Sequence, residues 1–309
     1  MYEVTQDVTL TKLVGGPLLM NMNTNKHDEE QPLVTFQIIT DTHVTADPEH
    51  EYNLNFELAL QDIADHGEGS SGIMHIGDVT DHGFPEEYEE MVRIVNKYKA
   101  KLPDITFTLG NHDVGLGHWE SRLALYEAET GMTGPYHDHW IDGYHFIFLG
   151  TEQGLRTFCN LSSEQLQWLD HKLGEQSVAD KPIFLFLHQP LKDTVAGSLE
   201  SQGWYGVTQD EELKSILAKY PQTLLFTGHT HWELEVDNTM FPGQGETATM
   251  FNSASVAYLW TNEDEAKIGS QGYYVEVYSN KVVVRGRDFK TRTWIEAAEY
   301  EVRLLLQNI

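Results

Sequence analysis

The stretch Ile105-Thr106-Phe107-Thr108-Leu109-Gly110-Asn111-His112-Asp113 decides how the chain is read. Its first five residues, β-branched and aromatic, are those of a short buried strand. Gly110 to Asp113 then place an amide, an imidazole and a carboxylate where that strand ends. Open α/β sheets keep their ligand sites at the carboxyl edge. Alone, the four polar residues are a turn, since Gly and Asn both tolerate positive φ. Four other expected strands in the chain also end in metal-ligand residue types, and this favours a site.

Working outward, Leu33 to Thr40 is a continuous β-type run that ends in Asp41-Thr42-His43. Phe56, Ala59, Leu60 and Ile63 give the i, i+3, i+4, i+7 stripe of a covering helix. Gly72 to Ile76 is the next strand, followed by Gly77-Asp78-Val79-Thr80-Asp81. Pro85 opens a helix with acidic residues in its first turns, Lys97, Lys99 and Lys101 at its end, and Tyr88, Met91, Val92 and Val95 facing inward. A short helix is expected near Trp119 to Glu127, and a loop over Gly131 to Trp140. Further strands are expected at Tyr144 to Leu149, at Ile183 to Leu187 before His188, and at Thr223 to Phe226 before Gly228-His229-Thr230-His231. Ser162 with Gln165, and Thr208 with Glu211, predict two more helix starts. The chain closes with expected strands at Thr247 to Ser253, Tyr273 to Tyr278 and Val282 to Arg287. The expected fold is α/β: two stacked mixed β-sheets flanked by helices, a four-layer α/β/β/α sandwich. Residues 1–32 are read as an N-terminal arm and linker, and residues 33–309 as one catalytic domain.

Composition narrows the chemistry. Twenty basic against 48 acidic residues give a net charge of −28, which repels phosphate backbones and anionic membranes, so no nucleic-acid or membrane partner is expected. The single cysteine, Cys159, excludes an intrachain disulfide framework and a Cys-rich zinc site, and is read as packing. Fifteen histidines leave N and O ligands as the metal chemistry. No stretch approaches 18 uninterrupted apolar residues and the first twenty do not have the order of a signal peptide, so a cytoplasmic location is the expectation. The oligomeric state is not legible.

In extended chain, residues two apart point to one face, so Asp41 with His43, and His229 with His231, are each expected to converge. Each motif alone is weak; five in order, each closing a strand, are strong. The pattern D-x-H, G-D-x-x-D, G-N-H-D, a lone His and G-H-x-H resembles the calcineurin-like metallophosphoesterase superfamily, over roughly residues 33–290. The segment Ile76 to Tyr88 is most similar to the class III cyclic-nucleotide phosphodiesterase branch. Purple acid phosphatases carry a tyrosine where this chain has Asp81, which argues against an Fe(III)–tyrosinate site.

The resemblance implies two divalent metal ions, one held by Asp41, His43 and His231 and the other by Asn111, His188 and His229, with Asp78 bridging. Such mixed N/O shells suit Mn, Fe(II) or Zn. It further implies in-line attack on phosphorus by a metal-bridging hydroxide. His112 would assist the leaving group, Asp113 would orient the His112 imidazole, and Asp81 would fix a ligand's orientation. The expected substrate is a small phosphodiester such as a cyclic nucleotide. A phosphomonoesterase or nucleotidase, or a noncatalytic metal-bound scaffold, are the alternatives. His75 is read as a satisfied core residue, and His137 and His139 as a solvated loop. For His82, contact with substrate and plain surface are both open. Trp204, Tyr205, Tyr258 and Trp260 could stack a base but are read as packing.

Overall fold

The computed structural model describes residues 31–304, so all but the last two residues of the expected N-terminal arm lie outside the described residues. In chain order the elements are β1 (Val34–Ile39), α1 (Glu51–His66), β2 (Ile73–His75), α2 (Pro85–Tyr98), β3 (Ile105–Phe107), α3 (Asn111–Val114) and α4 (Trp119–Thr130). Next come β4 (His137–Ile141), β5 (Tyr144–Phe148), α5 (Ser163–Gly174), β6 (Ile183–Phe186), α6 (Asp210–Leu217), β7 (Thr223–Thr227), β8 (Met240–Phe241) and β9 (Thr249–Asn252). The chain ends in β10 (Leu259–Trp260), β11 (Ala266–Lys267), β12 (Gln271–Val277), β13 (Lys281–Asp288) and β14 (Thr293–Arg303).

One six-stranded sheet runs β14-β13-β12-β1-β2-β3 and the other β4-β5-β6-β7-β9-β8. Each is mixed: β1, β2 and β3 are parallel, as are β5, β6, β7 and β9, while the flanking strands are antiparallel. The sheets share a buried aromatic layer. Phe36 and Ile38 of β1 meet Phe146, Phe184, Phe186, Phe226 and Phe251 of the facing sheet. Phe36 sets its edge against Phe146 at 5.1 Å and Phe184 at 4.9 Å, contacts worth about 0.5–1.5 kcal/mol each beyond burial. α1, α2 and α4 cover the outer face of the first sheet, and α5 and α6 that of the second. The four-layer α/β/β/α sandwich expected from the sequence is present.

Four local expectations differ. His137–Ile141 is a strand, not a loop, because Asp142 (φ 49°) and Gly143 (φ 81°) make the tight turn that pairs it with β5. β14 was not expected; its Glu296-Ala297-Ala298-Glu299 run has low strand propensity but pairs with β13 across a bulge at Arg285/Gly286. α6 starts after Gln209 without a side-chain cap, so Thr208 does not cap it. Gly110 to Asp113 is the opening of the one-turn helix α3.

Candidate metal centre

Because β1, β2 and β3 run parallel in one sheet and β6 and β7 in the other, their carboxyl ends deliver all five motifs to one rim. Bonds across the two sheets fix it: His188 Nδ1 lies 2.7 Å from the Ile76 carbonyl, and the His229 N–H donates to Asp41 Oδ2 at 3.0 Å. The side chains do not converge by strand alternation, as the sequence suggested. Asp41 (φ 52°), His43 (φ 42°), Asp78 (φ 50°), His229 (φ 68°) and His231 (φ 58°) are all left-handed. Such backbone costs about 1–3 kcal/mol per residue and persists where surrounding contacts hold it. Here the backbones nearly touch. A Cβ on Gly110 would fall 2.1 Å from the Asp78 N, and one on Gly228 2.1 Å from Thr40 Oγ1.

The ligand-type atoms form two buried groups, which a third set, His43, Asp78 and the half-buried His112, links. His231 Nε2 is 3.0 Å and His43 Nε2 3.7 Å from Asp41 Oδ1, with the two imidazole nitrogens 3.2 Å apart. His188 Nε2 is 3.1 Å from Asp78 Oδ2, and His229 completes that group. The groups adjoin, since Asp78 Oδ2 is 3.8 Å from His43 Nε2 and Asp41 Oδ1 is 3.8 Å from His188 Nε2. All six residues are buried. Most of their outward atoms are already engaged, His43 Nδ1 by an ion-pair contact without a hydrogen bond. Thr40 Oγ1 donates to Asp41 Oδ2 at 2.6 Å, and the His112 N–H donates to Asp78 Oδ1 at 2.8 Å. His231 Nδ1 faces the Tyr258 carbonyl at 3.2 Å, and His43 Nδ1 faces Asp81 Oδ1 at 3.2 Å. An imidazole held at one nitrogen presents the other in a fixed direction.

The inward atoms are not satisfied. Asp41 Oδ1, His188 Nε2 and His229 Nε2 are buried without a hydrogen bond, although acids and imidazoles stand close by. Each lies close to other ligand-type atoms without a hydrogen bond to them, and burying polar atoms so costs free energy unless a cation completes the set. Two carboxylates and four imidazoles in two adjoining groups therefore fit a pair of divalent ions.

The electrostatics agree. Burial works against charge on His43, but Asp41, Asp81 and Asp78 outweigh it and raise its pKa to about 10. For His188, burial is outweighed by Asp78 and Asp41, giving about 9. His229 moves to about 3 through burial and repulsion from His188. Asp41 and Asp78 stay well below the usual carboxylate range despite burial, chiefly through His231 and His188 for the first and His188 and His112 for the second.

The remaining expected residues are placed as follows. His112 is 34% exposed at the mouth, its ring 4.6 Å from that of His43, and its Nδ1 lies 2.6 Å from the Asp81 carbonyl oxygen. The Asp113 carboxylate does not orient it, which corrects the role drawn from the resemblance. Asp113 instead accepts from the Gly110, Val79 and Thr80 N–H groups and the Thr80 hydroxyl, pinning the second motif to the third. Burial and the neighbouring Asp78 lift its pKa to about 6. Asn111 opens α3, its Nδ2 donating to the Arg156 carbonyl at 2.9 Å and its Oδ1 accepting from Gln189 at 3.2 Å. Gln189 carried no signal beyond its place after His188. His75 is fully buried, with Nε2 2.9 Å from Thr42 Oγ1 and its pKa lowered to about 3, first by burial. His82 reaches Glu87 and Asp81 at 3.1 and 3.2 Å. His137 and His139 face each other at 3.0 Å on β4. A separate group, Asp138, His145 and Glu175, already holds the Lys172 ammonium, 3.3 Å from Asp138 and 3.2 Å from Glu175.

A sandwich that pools carboxylates and imidazoles on one rim in this way defines a metal-dependent hydrolase centre. Residues 34–233 match the calcineurin-like phosphoesterase family, and the chain belongs to that family. It is 26% identical over 195 residues to a 3',5'-cyclic-nucleotide phosphodiesterase of Nostoc sp., covering 62% of this chain and 68% of the relative. It is 27% identical over 204 residues to a probable glycerophosphodiester phosphodiesterase of Arcobacter nitrofigilis, covering 62% of this chain and 70% of the relative. A dimetal phosphatase from Danio rerio superposes with a TM-score of 0.63 at 14% identity over 89% of this chain and all of that one, a likeness of fold. The chain is accordingly a metal-dependent phosphoester hydrolase. No helix among the described residues is long and apolar enough to cross a membrane.

Proposed function

We propose that the chain is a dinuclear metal-dependent phosphodiesterase acting on small phosphodiesters of the cyclic-nucleotide kind. One cation would sit on Asp41, His43 and His231 and the other on Asn111, His188 and His229, with Asp78 shared. The observation that carries the reading is the set of buried inward atoms, Asp41 Oδ1, His188 Nε2 and His229 Nε2, that have no hydrogen bond. When bound, two such ions supply charge for the phosphoryl oxygens and acidify a water. That both curated relatives named above are named for diester hydrolysis supports the substrate class.

The chain's own part falls to His112 and its support. A carbonyl only accepts, so the 2.6 Å contact with the Asp81 oxygen keeps a proton on His112 Nδ1. Nε2, on the far side of the ring from that anchor, is then the nitrogen that can take up and release a proton. As the oxygen of a water that has given one proton to solvent bonds to phosphorus, one P–O ester bond breaks with its electron pair going to the leaving oxygen, and His112, as imidazolium, gives that oxygen its Nε2 proton and regains one from solvent. Asp81 serves twice, through its carbonyl on His112 and its carboxylate beside His43.

The test is a substrate panel with chelator-stripped protein reloaded with Mn²⁺: cyclic nucleotides, a bis-aryl phosphate and an aryl monophosphate. Hydrolysis of the diesters, lost on chelation, is expected. Turnover of the monophosphate alone would replace this reading with a monoesterase, and full metal content without turnover would favour a scaffold.

A further inference from the structure

Beside the imidazoles lies a wall of aromatic rings that the chemistry above does not use. Trp204 sets its ring against His229 at 6.2 Å, and Trp260 lies 5.8 Å from Trp204. Tyr258 lies 4.3 Å from the His231 ring, and Tyr52 stacks on Tyr258 at 5.4 Å and 27°. The four are partly exposed, so the wall faces solvent along the Gly228 to His231 turn.

Packing alone does not account for the polar tips. Trp232, in the same cluster, donates Nε1–H to Asn262 at 3.0 Å, and Trp260 donates to Asp264 at 2.8 Å. Trp204 Nε1 and the hydroxyls of Tyr52 and Tyr258 have no hydrogen-bond partner among the described residues. None of the three is a buried atom left without a partner, so each tip reaches solvent and is open to a ligand. The Trp204 loop is also tied to the turn that carries the ligands. The Trp204 N–H donates to the Gly197 carbonyl at 2.9 Å. Gly197 (φ +85°) lies so close to Thr230, between His229 and His231, that a Cβ would come within 2.4 Å of the Thr230 Cβ.

We propose that Trp204, flanked by Trp260, is a nucleobase seat that selects nucleotide esters over esters of aliphatic alcohols. The inference rests on the phosphodiesterase reading and names the group that reading leaves open. A planar heterocycle stacks on an indole face whatever its sequence of ring atoms, and its ring nitrogens and carbonyls can accept from the tyrosine hydroxyls beside it. A polyol ester offers no π-face and gains nothing from the wall.

The experiment compares the wild type, Trp204→Leu and Trp204→Phe, each reloaded with Mn²⁺, on adenosine 3',5'-cyclic monophosphate and on glycerophosphoglycerol. In parallel, quenching of tryptophan fluorescence by adenosine 5'-monophosphate is followed on the metal-free proteins. In Trp204→Leu the ratio of kcat/KM for the cyclic nucleotide over the glycerol ester is expected to fall about tenfold to a hundredfold, mostly through KM, with quenching reduced and metal content retained. Trp204→Phe, which keeps a ring, should recover most of the ratio. An unchanged ratio in Trp204→Leu overturns the seat, showing that Trp204 acts only by supporting His229. Wild-type turnover of glycerophosphoglycerol but not of the cyclic nucleotide overturns the seat and leaves the diesterase standing. Turnover of neither diester, with quenching that depends on Trp204, retires the diesterase and supports the seat.

Discussion

The protein buries carboxylates in two ways, and the contrast separates what holds the fold from what does chemistry. Asp62, on α1, is fully buried against the outer face of the first sheet. Both its oxygens are engaged: Arg287 donates to them at 3.0 and 2.8 Å, Tyr274 Oη at 3.0 Å and Arg292 Nε at 3.3 Å. Asp41, equally buried, has one oxygen held by Thr40 and the His229 N–H, while the other has no hydrogen bond. A completed ion pair is a structural element; one left open at a strained rim is a place for a ligand.

The largest break in this contrast is Asp78→Ala. It removes the carboxylate proposed to be shared by the two ions, so metal content should fall well below the wild-type complement and kcat/KM by more than about a thousandfold. Elemental analysis alongside kinetics checks it, and retained metal would refute the shared-ligand assignment. His112→Ala comes next: metal content unchanged, turnover down by about 10²- to 10⁴-fold, most for esters with poor leaving groups. An equal loss across leaving groups of differing acidity would argue against proton donation from Nε2.

Asp62→Ala reverses the pattern. Stranding the buried Arg287 should cost about 3–5 kcal/mol of stability with metal content and KM intact. Burial pushes the Asp62 carboxyl up, but Arg287, Tyr274 and Arg292 outweigh it and hold the pKa below its ordinary value. Its folded value being depressed, the stabilisation is full above the unfolded value of about 3.9 and is lost as pH falls through the lower folded one. Urea denaturation should therefore show the mutant's deficit at pH 7 shrinking below about pH 4. A deficit that persists in acid would mean that packing, not charge, is what Asp62 supplies.

The same contrast explains what could be read from the sequence. The five motifs were legible because ligand chemistry restricts each position to Asp, Asn or His, and buried strands such as β6 announce themselves as apolar runs. The geometry that joins the motifs was not. Asp and His at positive φ look like extended chain unless their surroundings are known, so alternation seemed to bring Asp41 to His43 where left-handed backbone does so. Asp113 looked like a partner for the adjacent His112, yet the helical turn of α3 aims its carboxylate back at Gly110 and Thr80. β4 was missed although Asp142-Gly143 is a hairpin signal, because His137, Asp138 and His139 mask the apolar alternation. Asp62 drew no notice, since the tyrosine and arginines that hold it lie 212 and more positions away.

The smallest expected effects form a matched pair, each removing one hydroxyl from a buried carboxylate. Thr40→Val keeps shape and deletes the 2.6 Å donor to Asp41 Oδ2. With the His229 N–H still bound to that oxygen, the fold should change little, while metal affinity falls about tenfold to a hundredfold as the carboxylate loses its fixed orientation. Tyr274→Phe deletes the 3.0 Å donor to Asp62 Oδ2 but leaves both arginines in place. It should cost about 1 kcal/mol of stability and leave metal affinity unchanged. Titrating Mn²⁺ into both variants and measuring their urea midpoints gives a two-by-two outcome. If Thr40→Val were to lose stability and keep its affinity, Asp41 would be a structural carboxylate like Asp62, and the reading of the rim as a metal site would lose its physical basis.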